Sequence, residues 1–260
     1  MNAITFITCK RLSLFIETVT TLKKRCLDID MFDLVIHYDD SSTDDDRNVM
    51  TKLLHNLFPT QLILQKYYEK ESFETNKRSM EIMNRLQKDI TLLGVKYIFH
   101  IEDDWAFIED FIIKDGLDIL KNNDNIGYIG YHYPYRNKIE KLFGGRKMLG
   151  DYWEMLYFSD RPICSNLFFD EEETLFHQNY FNVPDFWCYF INWPPYSFRP
   201  GIHDIEKINS IGNFDYDVGS VELEFAKKYV KKYTGYSHIR RKCVHSGEYY
   251  SAFNINNSQR

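Results

Sequence analysis

The sequence predicts an α/β fold in which helices flank a mostly parallel central sheet, followed by a less regular second half. Two observations support this prediction. Apolar segments typical of strands alternate with segments of helical periodicity through about residue 110. Several strand-like segments also end abruptly in polar residues, most clearly where residues 97–101 lead into Glu102, Asp103 and Asp104.

The first half contains four predicted strands, at residues 3–8, 34–38, 62–64 and 97–101. Apolar residues recur at helical spacing after each of the first three strands. They are Leu12, Phe15, Ile16, Val19, Leu22 and Cys26, then Val49, Met50, Leu53, Leu54 and Leu57, then Met80, Ile82, Met83, Leu86 and Ile90. This βαβαβαβ order predicts a mostly parallel sheet with helices on both faces, and ligands bind beyond the carboxyl ends of such strands.

The second half is less regular. Its predicted elements are a strand at residues 126–131, a turn at 144–146, a helix at about 218–231 and a frayed tail at 254–260. Residues 152–200 are dense in aromatic residues and proline, which predicts core packing for most of the rings. Others could line a ligand-binding cleft, and Trp105, next to the carboxylates at 102–104, is the better candidate for that contact. With no visible repeat or linker, we expect one domain over residues 1–260.

Composition excludes several classes of protein. The formal net charge of -6 and the pI of about 5.8 argue against a dedicated nucleic-acid binder, which needs a basic surface. The five cysteines are scattered and never form a CxxC pair, so we expect reduced thiols rather than a zinc site or disulfides. No signal peptide or apolar run of transmembrane length is visible. These features predict a soluble, cytoplasmic protein.

The carboxylates after residues 97–101 point to a binding site. A buried strand cannot carry three unpaired charges, so these groups must face solvent, a cation or a ligand. Oxygen-rich clusters of this kind suit Mg²⁺ or Mn²⁺, which usually share them with substrate phosphates. A solvated acidic turn is the alternative interpretation.

A second acidic segment runs from Asp39 to Asp46. As an EF-hand loop read from Asp40 it lacks the glycine, and Thr51 stands where the closing glutamate should be. Helix capping accounts for its second half. A carboxylate at this strand end could also bind a ribose hydroxyl or a base N–H. Neither a GxGxxG nor a Walker motif is present.

Four short motifs appear in a recognisable order. They are Thr8-Cys9-Lys10-Arg11, Asp39-Asp40-Ser41-Ser42, Asn76-Lys77-Arg78 and Glu102-Asp103-Asp104. In order and spacing they resemble the motifs of GT-A-fold glycosyltransferases, especially family 2, whose D-x-D element binds a metal. The resemblance covers roughly residues 3–110, and also 197–253. It implies a nucleotide-sugar half at about 1–110 and an acceptor and catalytic half at about 111–253.

The resemblance also implies roles for individual residues. Thr8, Arg11, Asp39, Asp40 and Arg78 would hold the nucleotide of a nucleoside-diphosphate sugar, with a UDP-sugar favoured. The cofactor would be Mn²⁺ or Mg²⁺, bound by Asp104 with Asp103 in support. His245 resembles the late histidine that can complete the metal site, although a lone histidine is more often structural. The acceptor would be a carbohydrate or glycoconjugate hydroxyl.

The catalytic base of inverting members lies in an E-D-L-E-L-like segment, matched here by Val221-Glu222-Leu223-Glu224-Phe225. This alignment makes Glu222 the base, with Val221 where the family has glutamate. Glu224 would point about 200° away on a helix, so both cannot serve one acceptor. Solvated helix carboxylates are the alternative, and Asp217 is the next candidate base. Residues 197–201 could form a loop near the donor sugar.

Two rival functions remain open. A sugar-phosphate nucleotidyltransferase would need a glycine-rich basic loop after the first strand, and residues 8–12 contain no glycine. A catalytically silent sugar-nucleotide-binding protein on the same fold would bind the donor without metal-dependent turnover.

Overall fold

The computed structural model describes residues 1–68, 75–132, 148–155, 194–214, 221–238 and 240–246; for residues 75–80 and Trp153 it describes the backbone alone. The predicted turn at 144–146, the tail at 254–260 and most of the aromatic segment lie outside the described residues. None of the helices in the described ranges is long and apolar enough to cross a membrane.

The four strands of the first half are present and parallel. They are β1 (Asn2–Thr8), β2 (Leu34–Asp40), β3 (Leu62–Tyr68) and β4 (Tyr97–Glu102). In space they follow the order β3-β2-β1-β4, with all three pairings parallel. This confirms the prediction of a parallel sheet for this half, although β3 is longer than the predicted segment.

Most of the later strands extend the same sheet. The later strands are β5 (Trp105–Phe107), β6 (Ile126–Gly130), β7 (Met148–Leu149), β8 (Tyr152–Glu154), β9 (Gly201–Asp204), β10 (Thr234–His238) and β11 (Cys243–His245). Within the described part of the chain the main sheet has nine strands in the order β3-β2-β1-β4-β9-β6-β10-β8-β7. Only β8 and β9 run against the others, so seven of nine are parallel. β5 and β11 form a separate antiparallel pair.

Helices cover both faces of the main sheet, as predicted. They are α1 (Leu12–Arg25), α2 (Asp44–Leu57), α3 (Thr75–Leu92), α4 (Ile113–Lys121), α5 (Ile205–Asn209) and α6 (Val221–Tyr229). Successive strand residues point to opposite faces. In β1, Ile4 and Phe6 therefore pack with α1, α2 and α4, while Ala3 belongs to the core cluster of α3, α5 and α6.

Candidate active site

The carboxyl ends of β1, β2 and β4 meet at one edge of the sheet. Thr8 pairs with Asp39, and Ile7 pairs with Glu102. Because parallel strands end on the same side, the loops that follow them are brought together. The predicted motifs after these three strands therefore lie side by side.

Two of these loops begin with a residue in the left-handed backbone region. Lys10 has φ of 56° and Ser41 has φ of 64°, and neither is glycine. Such a conformation costs about 1–2 kcal/mol for an L-residue. The backbone N–H of Lys10 donates to Ser42 Oγ at 3.2 Å, so a hydrogen bond links the loop after β1 to the loop after β2. Strain that the surroundings maintain in this way is common at functional sites.

Asp39 lies inside the protein rather than at its surface. It has no solvent exposure and accepts hydrogen bonds from Thr8 Oγ1 at 3.0 Å, Ser42 N at 3.3 Å and Ser42 Oγ. Arg47 Nε of α2 forms an ion pair with it at 2.8 Å. A carboxylate offers about four acceptor positions, and these contacts use them. The geometry therefore suits Thr8 and Asp39 to positioning the strand end rather than to touching a nucleotide.

His37 supports this network from beneath. Gln65 Nε2 lies 3.2 Å from its Nδ1, and its Nε2 lies 3.0 Å from Thr8 Oγ1. Burial lowers the pKa of His37 to about 4, so the ring is neutral near pH 7. The consistent arrangement has Gln65 donating to His37, His37 to Thr8, and Thr8 to Asp39.

Asp40 lies closer to the surface than Asp39. It is 8% exposed, accepts from Ser41 Oγ at 2.8 Å and has the Cys9 thiol 3.8 Å from Oδ2. Cys9, which the sequence did not single out, connects two carboxylates because its backbone N–H donates to Asp103 Oδ2 at 3.1 Å. Asp40 is thus the better placed of the two β2 carboxylates for contact with a ligand.

Arg11 neutralises the acidic turn after β4. Its Nε donates to Asp103 Oδ2 at 3.2 Å, its Nη2 to Asp103 Oδ1, and its Nη1 to Asp104 Oδ2 at 2.7 Å. Burial alone would lower the pKa of Arg11, but the charges of Asp103 and Asp104 raise it above its ordinary value. Arg11 therefore contacts the carboxylates themselves, whereas the family resemblance implies a contact with the nucleotide.

Asp103 is the fully buried member of the pair. Burial raises the pKa of Asp103 to about 7, and the Arg11 charge acts in the opposite direction. Both of its oxygens accept N–H donors, which is the arrangement of a carboxylate rather than a carboxylic acid. Thr18 of α1 fixes the turn itself, because its Oγ1 donates to Asp103 O at 2.9 Å and accepts from Trp105 N at 3.1 Å.

Asp104 has two different oxygens. Oδ2 accepts from Arg11 and lies 3.2 Å from His245 Nε2, whereas the buried Oδ1 has no hydrogen-bond partner among the described residues. Burial works against ionisation, but the hydrogen bond from His245 and the Arg11 charge hold the pKa of Asp104 below its ordinary value. A buried, ionised oxygen without a partner is costly, so the geometry favours an additional cation or donor at Oδ1.

The composition of this site fits a hard divalent cation only in part. Among the described residues no group of three or more His, Cys, Asp or Glu side chains is arranged to hold a metal ion. Mg²⁺ and Mn²⁺, however, commonly take one or two protein ligands and complete their shell with phosphate oxygens and water. Asp104 and His245 match that smaller set.

His245 reaches the site through the pairing of β11 with β5. It lies opposite Trp105, with ring centroids 5.1 Å apart, and Ser246 N donates to Asp104 O at 2.8 Å. Trp105 is only 3% exposed. Its ring therefore supports His245 from below, and does not face an open cleft as the sequence had suggested.

Glu222 approaches the same strand ends from α6. Its Oε1 accepts from Ser197 Oγ at 2.6 Å and from Phe198 N at 3.0 Å. Burial raises the pKa of Glu102 to about 8, with smaller contributions of the same sign from the charges of Asp104 and Glu222. Glu224 instead pairs with Lys227 at 2.7 Å. The structure thus brings Glu222 toward the site and leaves Glu224 in a helix-surface ion pair.

Two candidates from the sequence cannot be placed in this geometry. Arg78 belongs to α3, but its side chain lies outside the described part of the structure, as does all of Asp217. The structure adds His37 and Arg47, which the sequence did not mark. It also gives contacts to Cys9 and Ser197, which the sequence had included only as members of a motif and of a loop.

No protein-family model and no curated protein matches the sequence. Among solved structures, the chain is similar to the mannosyltransferase PcManGT from Pyrobaculum calidifontis in complex with GDP-Man and Mn²⁺, with a TM-score of 0.57 and 11% identity over 99% of this chain and 61% of that chain. It is also similar to TarS from S. aureus, with a TM-score of 0.51 and 12% identity over 91% of this chain and 36% of that one.

These similarities establish the fold. They confirm that the chain has the architecture of GT-A glycosyltransferases, as the sequence motifs implied. Because the sequence identity is low, they support the fold alone. The chain spans about three fifths of the length of PcManGT and less of TarS.

The Asp39 network yields a stability prediction. Asp39→Ala removes a fully buried ion-pair partner of Arg47, so the free energy of unfolding should fall by about 3–5 kcal/mol, as for other broken buried ion pairs. Asp44→Ala is the matched control, because the Asp44 side chain is 93% exposed and lies 3.5 Å from the same arginine. Urea denaturation followed by circular dichroism would measure both. Equal losses in the two variants would contradict the positioning role of Asp39.

Proposed function

We propose that this chain is a metal-dependent glycosyltransferase that moves a sugar from a nucleoside-diphosphate sugar to a hydroxyl acceptor with inversion at the anomeric carbon. The observation that carries the proposal is the buried Oδ1 of Asp104, which lies at the carboxyl edge of a GT-A-type sheet. This oxygen has no hydrogen-bond partner among the described residues. Fold alone does not assign an activity, so the activity is inferred from the site.

Asp104 and His245 are the residues that would hold Mn²⁺ or Mg²⁺. When bound, such a cation would neutralise the charge that develops on the diphosphate leaving group. Arg11 already balances the charge of Asp103 and part of that of Asp104, and it keeps the Asp104 carboxylate in one orientation. PcManGT, which has a similar fold, was solved in complex with Mn²⁺, and this agrees with the proposal.

Asp40 would hold the ribose or base of the donor. It lies at the end of β2, beside the acidic turn, and it is the more exposed of the two carboxylates there. A UDP-sugar is the first donor to test, and GDP-Man is the second because PcManGT was solved with it. Thr8 and Asp39 would act by fixing this strand end.

Glu222 would act as the general base. Two hydrogen bonds orient its carboxylate, and its charge acts on Glu102 at the end of β4. From this position it would accept the proton of a carbohydrate or glycoconjugate hydroxyl as that oxygen attacks the anomeric carbon. The two halves expected from the sequence would then have different roles. Residues 1–110 would bind the donor, and residues 111–253 would supply the base and the acceptor surface.

The geometry supports the two rival functions less well. A nucleotidyltransferase needs backbone N–H groups and basic side chains directed at a triphosphate, whereas the loop after β1 directs Cys9 N and Arg11 at carboxylates. A silent binding protein would not need an oriented Glu222. A cytoplasmic location stays a prediction from cysteine usage, and the described cysteines, Cys9, Cys26 and Cys243, are free thiols.

The metal assignment predicts the behaviour of Asp104→Asn. The amide cannot supply the charged oxygen, so Mn²⁺-dependent binding of UDP or GDP should weaken by at least about 10–100-fold. Titration calorimetry with and without Mn²⁺ measures this directly. Asp118→Asn, on the surface of α4, is the isosteric control. Unchanged Mn²⁺-dependent affinity in Asp104→Asn would exclude this carboxylate as a ligand.

The base assignment predicts a contrast between two neighbouring glutamates. Glu222→Gln keeps the shape but loses the proton acceptor, so release of nucleoside diphosphate from a saturating donor, with water as acceptor, should fall by about 10²–10⁴-fold. Glu224→Gln should retain the rate, because its partner is Lys227 on the helix surface. If Glu224→Gln is the slow variant, the base has been assigned to the wrong residue.

A further inference from the structure

The carboxylate of Glu222 is held asymmetrically. Both of its hydrogen bonds end on Oε1, from Ser197 Oγ at 2.6 Å and from Phe198 N at 3.0 Å. Ser197 is 1% exposed and Phe198 is 7% exposed, so these donors are shielded from water. Within the part of the chain that the structure describes, Oε2 accepts no hydrogen bond.

The Ser197 hydroxyl has its direction set by a second contact. Arg199 N donates to Ser197 Oγ at 3.2 Å. A serine hydroxyl carries one proton, and here the oxygen is used as an acceptor by Arg199 while the proton is donated to Glu222. The chain of bonds therefore runs from Arg199 N–H through Ser197 to Oε1 of Glu222.

We propose that Ser197 is the positioning residue of the proposed base: it holds Oε1 of Glu222, so that Oε2 is the oxygen that receives the acceptor's proton. This inference rests on the proposed function. In the step, the acceptor O–H bond breaks and its proton goes to Oε2 while the oxygen bonds to the anomeric carbon. The bond from that carbon to the diphosphate breaks, and its electron pair leaves with the nucleoside diphosphate.

The experiment compares Ser197→Ala with Ser197→Thr in the full chain. The readout is metal-dependent release of nucleoside diphosphate from the nucleotide sugar that the parent protein turns over, with kcat and the donor KM measured separately. Loss of a hydrogen bond to a charged group should lower kcat of Ser197→Ala by about 10–100-fold. The donor KM should stay unchanged, because Ser197 acts through Glu222 and not on the nucleotide. Ser197→Thr keeps the hydroxyl and should recover most of kcat.

Ser237→Ala is the matched structural control. Ser237 is also fully buried, and its hydroxyl donates to Gly130 O at 3.1 Å, within the sheet. This variant should lose stability in urea denaturation without any change in kcat.

Each other outcome overturns a distinct part of the proposal. A parental kcat in Ser197→Ala, or a Ser197→Thr variant as slow as Ser197→Ala at equal stability, would overturn the role of Ser197 while leaving the base in place. A fully active Glu222→Gln variant would overturn the base and this inference together. Absence of turnover by the parent protein with every nucleotide sugar would overturn the proposed function itself.

Discussion

The architecture of this site depends on compensating charge at one edge of the sheet. Two arginines from different helical regions, Arg11 and Arg47, each bind a carboxylate that has no solvent exposure. An isolated buried carboxylate would lose several kcal/mol of hydration, and each of these arginines offsets that cost for its partner. Asp104 differs because its buried Oδ1 has no such partner among the described residues, and that oxygen is the one proposed to meet the charge of a ligand.

The site also depends on contacts between the second half of the chain and strands of the first half. β11 pairs with β5 and brings His245 to Asp104, while α6 and the segment before β9 bring Glu222 toward the end of β4. The groups proposed to bind the donor thus come from short loops after parallel strands, and the proposed base comes from a helix that packs on the same sheet.

Periodicity predicted β1 to β4 and the helices between them because local apolar spacing determines such elements. It also placed the acidic turn at a strand end. The strand β9 escaped detection because only four residues pair, and its place between β4 and β6 depends on contacts distant in sequence. The ion pairs of Arg11 with Asp103 and Asp104 were not predicted either, because no local pattern links position 11 with positions 103 and 104. Asp39 and Asp40 look alike in sequence, and only strand alternation in three dimensions separates the buried one from the one near the surface.

The central claim is that this edge of the sheet activates a nucleotide sugar with the help of a divalent cation. The most direct measurement is release of free nucleoside diphosphate from a panel of nucleotide sugars, including UDP-sugars and GDP-Man, in Mn²⁺ and then in excess EDTA. We expect at least one donor to be turned over in Mn²⁺ and EDTA to abolish its turnover. Turnover that is equally fast in EDTA, or no turnover of any donor in Mn²⁺, would contradict the central claim.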